Sequence, residues 1–236
     1  MDSPLPEPAA APVIEAAGLC RRFGGRWAFA RVDLRLMAGE RLLIVGANGS
    51  GKTTLLRALS TSLPPTEGRL RLFGMDPVAA PEAVRSRVAL LSHAVGLYED
   101  LSGAQNLSLF ARLMGKEPGR VAALLEQVGL DPRRADPIRT YSAGMRKRLC
   151  VALVLLKEPA LVLLDEPFAA LDPKGMDQMG ELIAALPGAV VIASHQVERA
   201  GALCSRAMLL EGGLPRWQGP ARSAWAAWTA VHGARE

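Results

Sequence analysis

The residues Gly46-Ala47-Asn48-Gly49-Ser50-Gly51-Lys52-Thr53 fill every fixed position of the phosphate-binding pattern G-x-x-x-x-G-K-[ST], and Thr54 follows them. Glycines let backbone N–H groups approach a polyphosphate closely, and a following helix aims its partial positive charge at the same place. Lys52 is then expected to reach the β- and γ-phosphates, and the Thr53 hydroxyl is a hard oxygen ligand suited to Mg²⁺. A carboxylate pair, Asp165-Glu166, follows the apolar run Leu161-Val162-Leu163-Leu164, and His195 follows another apolar run ending near Ala193. Asp165 can hold Mg²⁺, mostly through water, Glu166 can orient or deprotonate an attacking water, and His195 can contact a γ-phosphate. Taken singly, the acid pair also reads as a helix cap and His195 as an ordinary loop histidine. Together with the phosphate loop, at successive strand ends, they read as a nucleotide hydrolase site.

The elements that must position these groups follow from hydrophobic periodicity. Arg41 to Val45 ends in an apolar run suited to a buried strand, and Lys52 to Ser60 reads as a helix with Leu55, Leu56 and Leu59 on one face. Four apolar residues ending in two acids describe a buried parallel strand that delivers them at its C-terminal end, where doubly wound sheets place ligands. Further strands are expected at 13–19, 32–37, 69–73, 88–91, 189–193 and 207–210, with Gly39-Glu40 as the turn between the second and third strands. Phe23 falls in the loop between the first two, either as a base-stacking aromatic or as a core residue. Ser102-Gly103-Ala104-Gln105 fits a capping box opening a helix to Met114, and a second helix covers about 118–128. Ser142 caps a third that runs through Leu149, Val151, Leu153 and Leu156. Helices without intervening strands point to a helical insertion over about 94–155 in an α/β core. Helices at 173–185 and 196–203 complete the alternation. In the last segment Trp225 and Trp228 are spaced i, i+3, as a docking stripe or a membrane-surface contact.

With 236 residues, half of them hydrophobic, the chain can bury a sizeable core. Its net charge of +5 comes from Lys and Arg spread along the chain without a long basic block, so nucleic-acid binding is not expected. Cys20, Cys150 and Cys204 are far apart and lack C-x-x-C spacing, which argues against a disulfide framework or a zinc site and for a reducing cytoplasm. Residues 1–12, rich in Pro and Ala, are read as a flexible tail without the basic start or apolar core of a signal peptide. The apolar stretches at 149–164 and 182–193 are broken by Lys157-Glu158-Pro159 and Pro187-Gly188, so no transmembrane helix is expected.

From Val13 to about Gln218 the sequence resembles the ATP-binding subunits of ABC transporters. Phe23 falls at the adenine-stacking aromatic of that family. Tyr141-Ser142-Ala143-Gly144-Met145 occupies the place of its LSGGQ signature, and Ala170-Leu171-Asp172 looks like its D-loop. Leu101-Ser102-Gly103-Ala104-Gln105 is closer to LSGGQ by letters, but the family's signature opens the helix running directly into the acidic strand, so this segment is assigned to capping. His93 stands where the family usually has the Q-loop Gln, and imidazole is a poorer Mg²⁺ ligand than an amide oxygen.

The resemblance implies an α/β fold: a P-loop NTPase with a RecA-like core, an antiparallel β edge and the inserted helical subdomain of the ABC ATPases. Residues 13–220 would form that domain and 221–236 a C-terminal helix or tail. It implies ATP and Mg²⁺ as ligands, an ATP-dependent homodimer in which Ser142, Ala143, Gly144 and Met145 act in trans on the partner's γ-phosphate, and separately encoded transmembrane subunits. The expected location is the cytoplasmic face of the inner membrane. His93, Leu97 to Leu101 and the stretch from Asp165 to Asp172 also resemble the subunits assigned to haem export in cytochrome c maturation. General lipid or drug exporters and the soluble ATPases of iron–sulfur cluster assembly are the alternative classes.

Overall fold

The computed structural model describes residues 11–92 and 96–233. Two sheets carry the fold. The first is antiparallel, in the order β2-β1-β4, from β1 (Ile14–Phe23), β2 (Arg26–Leu36) and β4 (Glu67–Leu72). The second has the order β5-β6-β7-β3-β8-β9, from β5 (Val88–Leu91), β6 (Leu161–Asp165), β7 (Ala189–Ser194), β3 (Arg41–Val45), β8 (Arg206–Glu211) and β9 (Leu214–Pro220). It is parallel except for β9, which pairs antiparallel with β8. The helices are α1 (Lys52–Leu59), α2 (Pro81–Arg85), α3 (Gly103–Leu113), α4 (Val121–Gln127), α5 (Ala143–Lys157), α6 (Pro173–Ala184), α7 (Val197–Gly201) and α8 (Ala224–His232).

The central strands are apolar throughout because both faces of the second sheet are covered, as a parallel sheet requires. Every residue of β6 and β7 is buried. Alternate side chains divide between two cores. Leu43, Val45, Val162, Leu164, Val190 and Ile192 pack with α3, α4 and α5 on one side. Leu42, Ile44, Leu161, Leu163 and Val191 pack with α1 and the inner face of the antiparallel sheet on the other. Each fully buried Leu or Val contributes about 1.5–3 kcal/mol, so this double burial is what fixes strand order and register.

Several sequence expectations are corrected. β1 and β2 do not stop at 19 and begin at 32; they continue into a hairpin closed by Gly24-Gly25, both at positive φ. Two left-handed positions in a two-residue loop match the right-handed twist of a hairpin, which is why glycines stand there. Phe23 is therefore the last residue of β1, not a loop residue. The turn expected at Gly39-Glu40 is present, closed by the Glu40 N–H donating to the Met37 carbonyl, and it joins strands of different sheets. Residues 118–120 form a 3-10 turn before α4, and the helix expected at 196–203 is the shorter α7. The strand β9 and the short helix α2 had no counterpart in the expectations. In α8 Trp228 packs against the helical-side core while Trp225 is half exposed. His93 lies outside the described residues.

Candidate active site

Register in the parallel sheet brings the chemistry together. Val45 on β3 pairs with Ser194 on β7, and Ala193 on β7 pairs with Asp165 on β6, so Gly46, His195 and Glu166 leave their strands at one rim.

The phosphate loop is shaped by steric limits. A Cβ on Gly46 would lie 2.3 Å from Ser50 Oγ and 2.4 Å from the Leu210 carbonyl oxygen. One on Gly51 would lie 2.2 Å from the Ala28 carbonyl oxygen, and Gly51 is at φ 101 as the N-cap of α1. Only glycine fits either position. Lys52, the first residue of α1, is 5% exposed, and its Nζ donates to the carbonyls of Gly46 (2.6 Å) and Ala47 (3.0 Å). Burial lowers the pKa of this ammonium below the ordinary lysine value, opposed by the neighbouring Glu166 and Asp165 charges. Thr53 Oγ1 donates to Asp165 Oδ1 at 3.0 Å.

Glu166 follows Asp165 with φ 48, a left-handed conformation that turns its carboxylate back across the rim. Its two oxygens are differently placed. Oε2 accepts from Ser194 Oγ at 3.2 Å and lies 2.9 Å from His195 Nδ1. Oε1 is buried without a hydrogen-bond partner, 3.7 Å from Lys52 Nζ. Ser50 Oγ is likewise buried without a hydrogen-bond partner. An unsatisfied buried polar atom costs about 1–3 kcal/mol, which leaves the Ser50 hydroxyl a donor suited to a phosphate oxygen, whereas Glu166 Oε1 is offset in part by the Lys52 charge. The paired Thr53 hydroxyl and Asp165 carboxylate form a hard oxygen donor set, which fits Mg²⁺. Among the described residues no group of three or more His, Cys, Asp or Glu is placed to hold a metal, so further ligands would have to come from phosphate and water.

The other expected residues lie apart from this cluster. Ser142 caps α5, its Oγ accepting from the Met145 N–H at 3.2 Å. With Ala143 and Gly144 it lines a separate groove shared with Ala170, Leu171 and Asp172; Asp172 caps α6 by accepting from the Gly175 N–H. Met145 packs against the helical-side core. Phe23 is half exposed, with the Arg21 guanidinium 4.6 Å from its ring centroid. Asn48 and Gly49 are exposed at the loop tip, and Thr54 is half-buried behind it. Ser102 and Gln105 form a full capping box on α3, with the Gly103 N–H donating to Tyr141 Oη. All three cysteines are free, and burial pushes the Cys150 and Cys204 thiols up to about 12, which makes them poor nucleophiles.

Sequence reasoning missed two groups beside Glu166. Ser194 anchors its carboxylate, and the Ser-His pair closing an apolar strand was the available signal. Lys147, on the helix capped by Ser142, donates to the Glu166 carbonyl at 3.0 Å, and no spacing in the sequence marks it.

A family model described as ABC transporter matches residues 29–169. The daunorubicin resistance ATP-binding protein DrrA3 of Streptomyces coeruleorubidus is 39% identical over 207 residues, which is 85% of this chain and 66% of that protein. The cytochrome c biogenesis ATP-binding export protein CcmA 2 of Cupriavidus metallidurans is 39% identical over 189 residues, 78% of this chain and 90% of that protein. The chain thus spans slightly less than two thirds of DrrA3 and nearly all of CcmA 2. A solved ATP-binding subunit of an ABC transporter superposes with a TM-score of 0.80 at 24% identity, covering 92% of this chain and 93% of that one. A dimeric ATP-binding cassette bound to ADP and Pi in a post-hydrolysis state gives a TM-score of 0.79 at 23% identity, covering 89% and 99%. At these identities the structural likeness speaks for the fold alone.

Proposed function

The chain belongs to the ABC transporter family, and from that premise we infer that it is the ATP-binding and ATP-hydrolysing subunit of an exporter. The observation that carries this reading is the asymmetry of the Glu166 carboxylate. Ser194 and His195 anchor Oε2, and Oε1, 3.7 Å from Lys52 Nζ, is the oxygen that would take a proton from a water once Lys52 turns to phosphate. With Nδ1 protonated, His195 donates to Glu166 and keeps Nε2 for the ligand. Lys52 leaves its own loop carbonyls for phosphate oxygens of greater charge. Thr53 and Asp165 would hold Mg²⁺, which when bound neutralises phosphate charge and polarises the transferred phosphoryl group. Glu166 then acts as general base, a role typically worth about 10²–10⁴ in rate.

The groove of Ser142, Ala143 and Gly144, at the start of a long helix, supplies N–H groups and a helix dipole suited to a γ-phosphate. It lies in a different place from the phosphate loop, which favours a homodimer with each site shared between two copies, Ala170 to Asp172 lying beside the shared groove. Phe23 is proposed to stack on the adenine and His93 to take the Q-loop position. Among the described residues no helix is long and apolar enough to cross a membrane. By the family resemblance, transport would be driven through separate transmembrane subunits. The domain at 13–220 would then sit peripherally on the cytoplasmic face of the membrane. CcmA 2 is named for export in cytochrome c biogenesis, which favours a haem cargo, and DrrA3 for daunorubicin resistance, which favours a drug; the choice between these cargoes would belong to the membrane subunits. Mg²⁺-dependent ATP hydrolysis by the purified chain tests the enzymatic reading. Co-purification with hydrophobic membrane subunits, rather than with soluble scaffold proteins of iron–sulfur assembly, tests the transport reading.

A further inference from the structure

Lys147 lies one turn into α5, the helix whose N-terminus carries Ser142, and its side chain leaves that helix for another part of the molecule. Its Nζ donates to the carbonyl oxygens of Glu166 (3.0 Å), Pro167 (2.9 Å) and Ala169 (2.5 Å). An ammonium has three donors, and these carbonyls take all of them. The segment they belong to is strained: Glu166 has φ 48 and Ala170 has φ 58, both left-handed without being glycine. Such a turn persists only where its surroundings over-determine it, and Lys147 is the side chain by which α5 hydrogen-bonds to it. The adjacent Arg146 points elsewhere. It makes a bidentate pair with Glu99 (2.6 and 2.9 Å) and donates to the Arg139 carbonyl at 3.1 Å. One turn of α5 is thereby fastened both to the loop around Glu99 and to the backbone that carries the catalytic carboxylate.

We propose that Lys147 is a positioning residue for catalysis: it clasps the 166–169 turn, so that the placement of the Ser142 end of α5 sets the placement of the Glu166 carboxylate. This rests on Glu166 being the general base. Engagement of the Ser142 groove would shift α5, and the three carbonyl bonds would carry that shift to Glu166 about twenty residues further along the chain. A solvent-facing lysine would do none of this, and Lys147 is half-buried beneath the turn.

The test compares Lys147→Met, which keeps the aliphatic stem and loses the donors, with Lys147→Arg, which restores donors and charge. In Lys147→Met the expected result is a fall in kcat of at least tenfold with KM for ATP within about twofold, and recovery of most of the rate in Lys147→Arg. In the Glu166→Gln background, Lys147→Met should still accumulate the ATP-bound dimer on size-exclusion chromatography, because no residue of the groove or the phosphate loop is replaced. Wild-type kcat in Lys147→Met overturns the proposal. So does a parallel loss of kcat, ATP affinity and thermal midpoint, which would make Lys147 an ordinary structural staple. If Lys147→Met does not fold, Lys147→Gln takes its place, and the proposal fails unless that variant shows the same kcat-selective loss. Should Glu166→Gln retain turnover, the assignment of the base fails separately, whatever Lys147 does.

Discussion

The Nδ1 atom of His195 lies 2.9 Å from the Oε2 atom of Glu166, joining the rim of β7 to the rim of β6. If Glu166 is the general base, that contact holds one carboxylate oxygen and leaves the other to serve a water, so the two residues should fail differently when replaced. Glu166→Gln removes the base but keeps the shape. It should bind ATP normally, lose at least about 10²-fold in turnover and accumulate a dimer in the presence of ATP. His195→Ala leaves the base in place and loosens its orientation, so kcat should fall while Glu166 still supports residual hydrolysis. Steady-state ATPase assays with size-exclusion chromatography check both, and unchanged turnover in Glu166→Gln would falsify the assignment.

Gly46→Ala should abolish nucleotide binding rather than slow the chemistry. Its Cβ would meet the Leu210 carbonyl oxygen at 2.4 Å, a backbone atom of β8 that cannot move without disturbing the core sheet. Gly180→Ala is the control. It lies in α6, outside the phosphate loop, and nothing lies within 4 Å of its Cβ. We expect Gly46→Ala to lower both the thermal midpoint and ATP affinity measured by calorimetry, and Gly180→Ala to change them much less.

How legible each part was depends on the physics that produced it. The phosphate loop, the acidic strand and His195 were readable because local sterics and burial on both faces write themselves into glycine spacing and unbroken apolar runs. The ends of β1 and β2 were not. Register slips between Ala16 and Leu19, and again around Arg21, break the two-residue alternation, so the strand appeared to end four residues before Phe23. β9 was hidden by Pro215, Gly219 and Pro220, which a central strand excludes but an edge strand paired on one side tolerates. Lys147 was invisible because its partners are backbone carbonyls about twenty residues away, and carbonyls carry no residue identity.

Between β5, α3 and α5 lies an apolar groove lined by Leu90, Phe110, Met114 and Leu153. Leu113, 68% exposed, lies next to Met114 on α3, so this end of the helix presents more apolar surface than a solvated face needs. If the chain docks on a transmembrane subunit, the groove and the loop near Leu97 to Leu101 are where an amphipathic segment would seat. Met114→Lys combined with Phe110→Gln should leave ATP hydrolysis within about twofold and abolish co-purification with the membrane subunits. Retained co-purification would place the docking surface elsewhere.

Glu158 ends α5 in a left-handed conformation, φ 57, and its carboxylate pairs with Arg120 and, at 2.5 Å, with Lys116. The Arg120 hydrogen bond, followed by that of Lys116, holds its carboxyl at about 2 instead of an ordinary 4.5. A folded-state pKa lowered in this way stabilises the fold above the unfolded value, and the contribution disappears as pH falls through the folded one. The pairing should therefore contribute at neutral pH, weaken below about 4.5 and be gone near about 2. Both partners of the carboxylate reach solvent, so the effect should be small and salt-sensitive. Glu158→Gln preserves side-chain size and the backbone demand at this cap. Its thermal midpoint should lie below wild type at pH 7 and converge on it as pH is lowered towards 2, with the gap at pH 7 shrinking in high salt. A gap independent of both pH and salt would show that the left-handed cap, rather than the ion pair, is what Glu158 contributes.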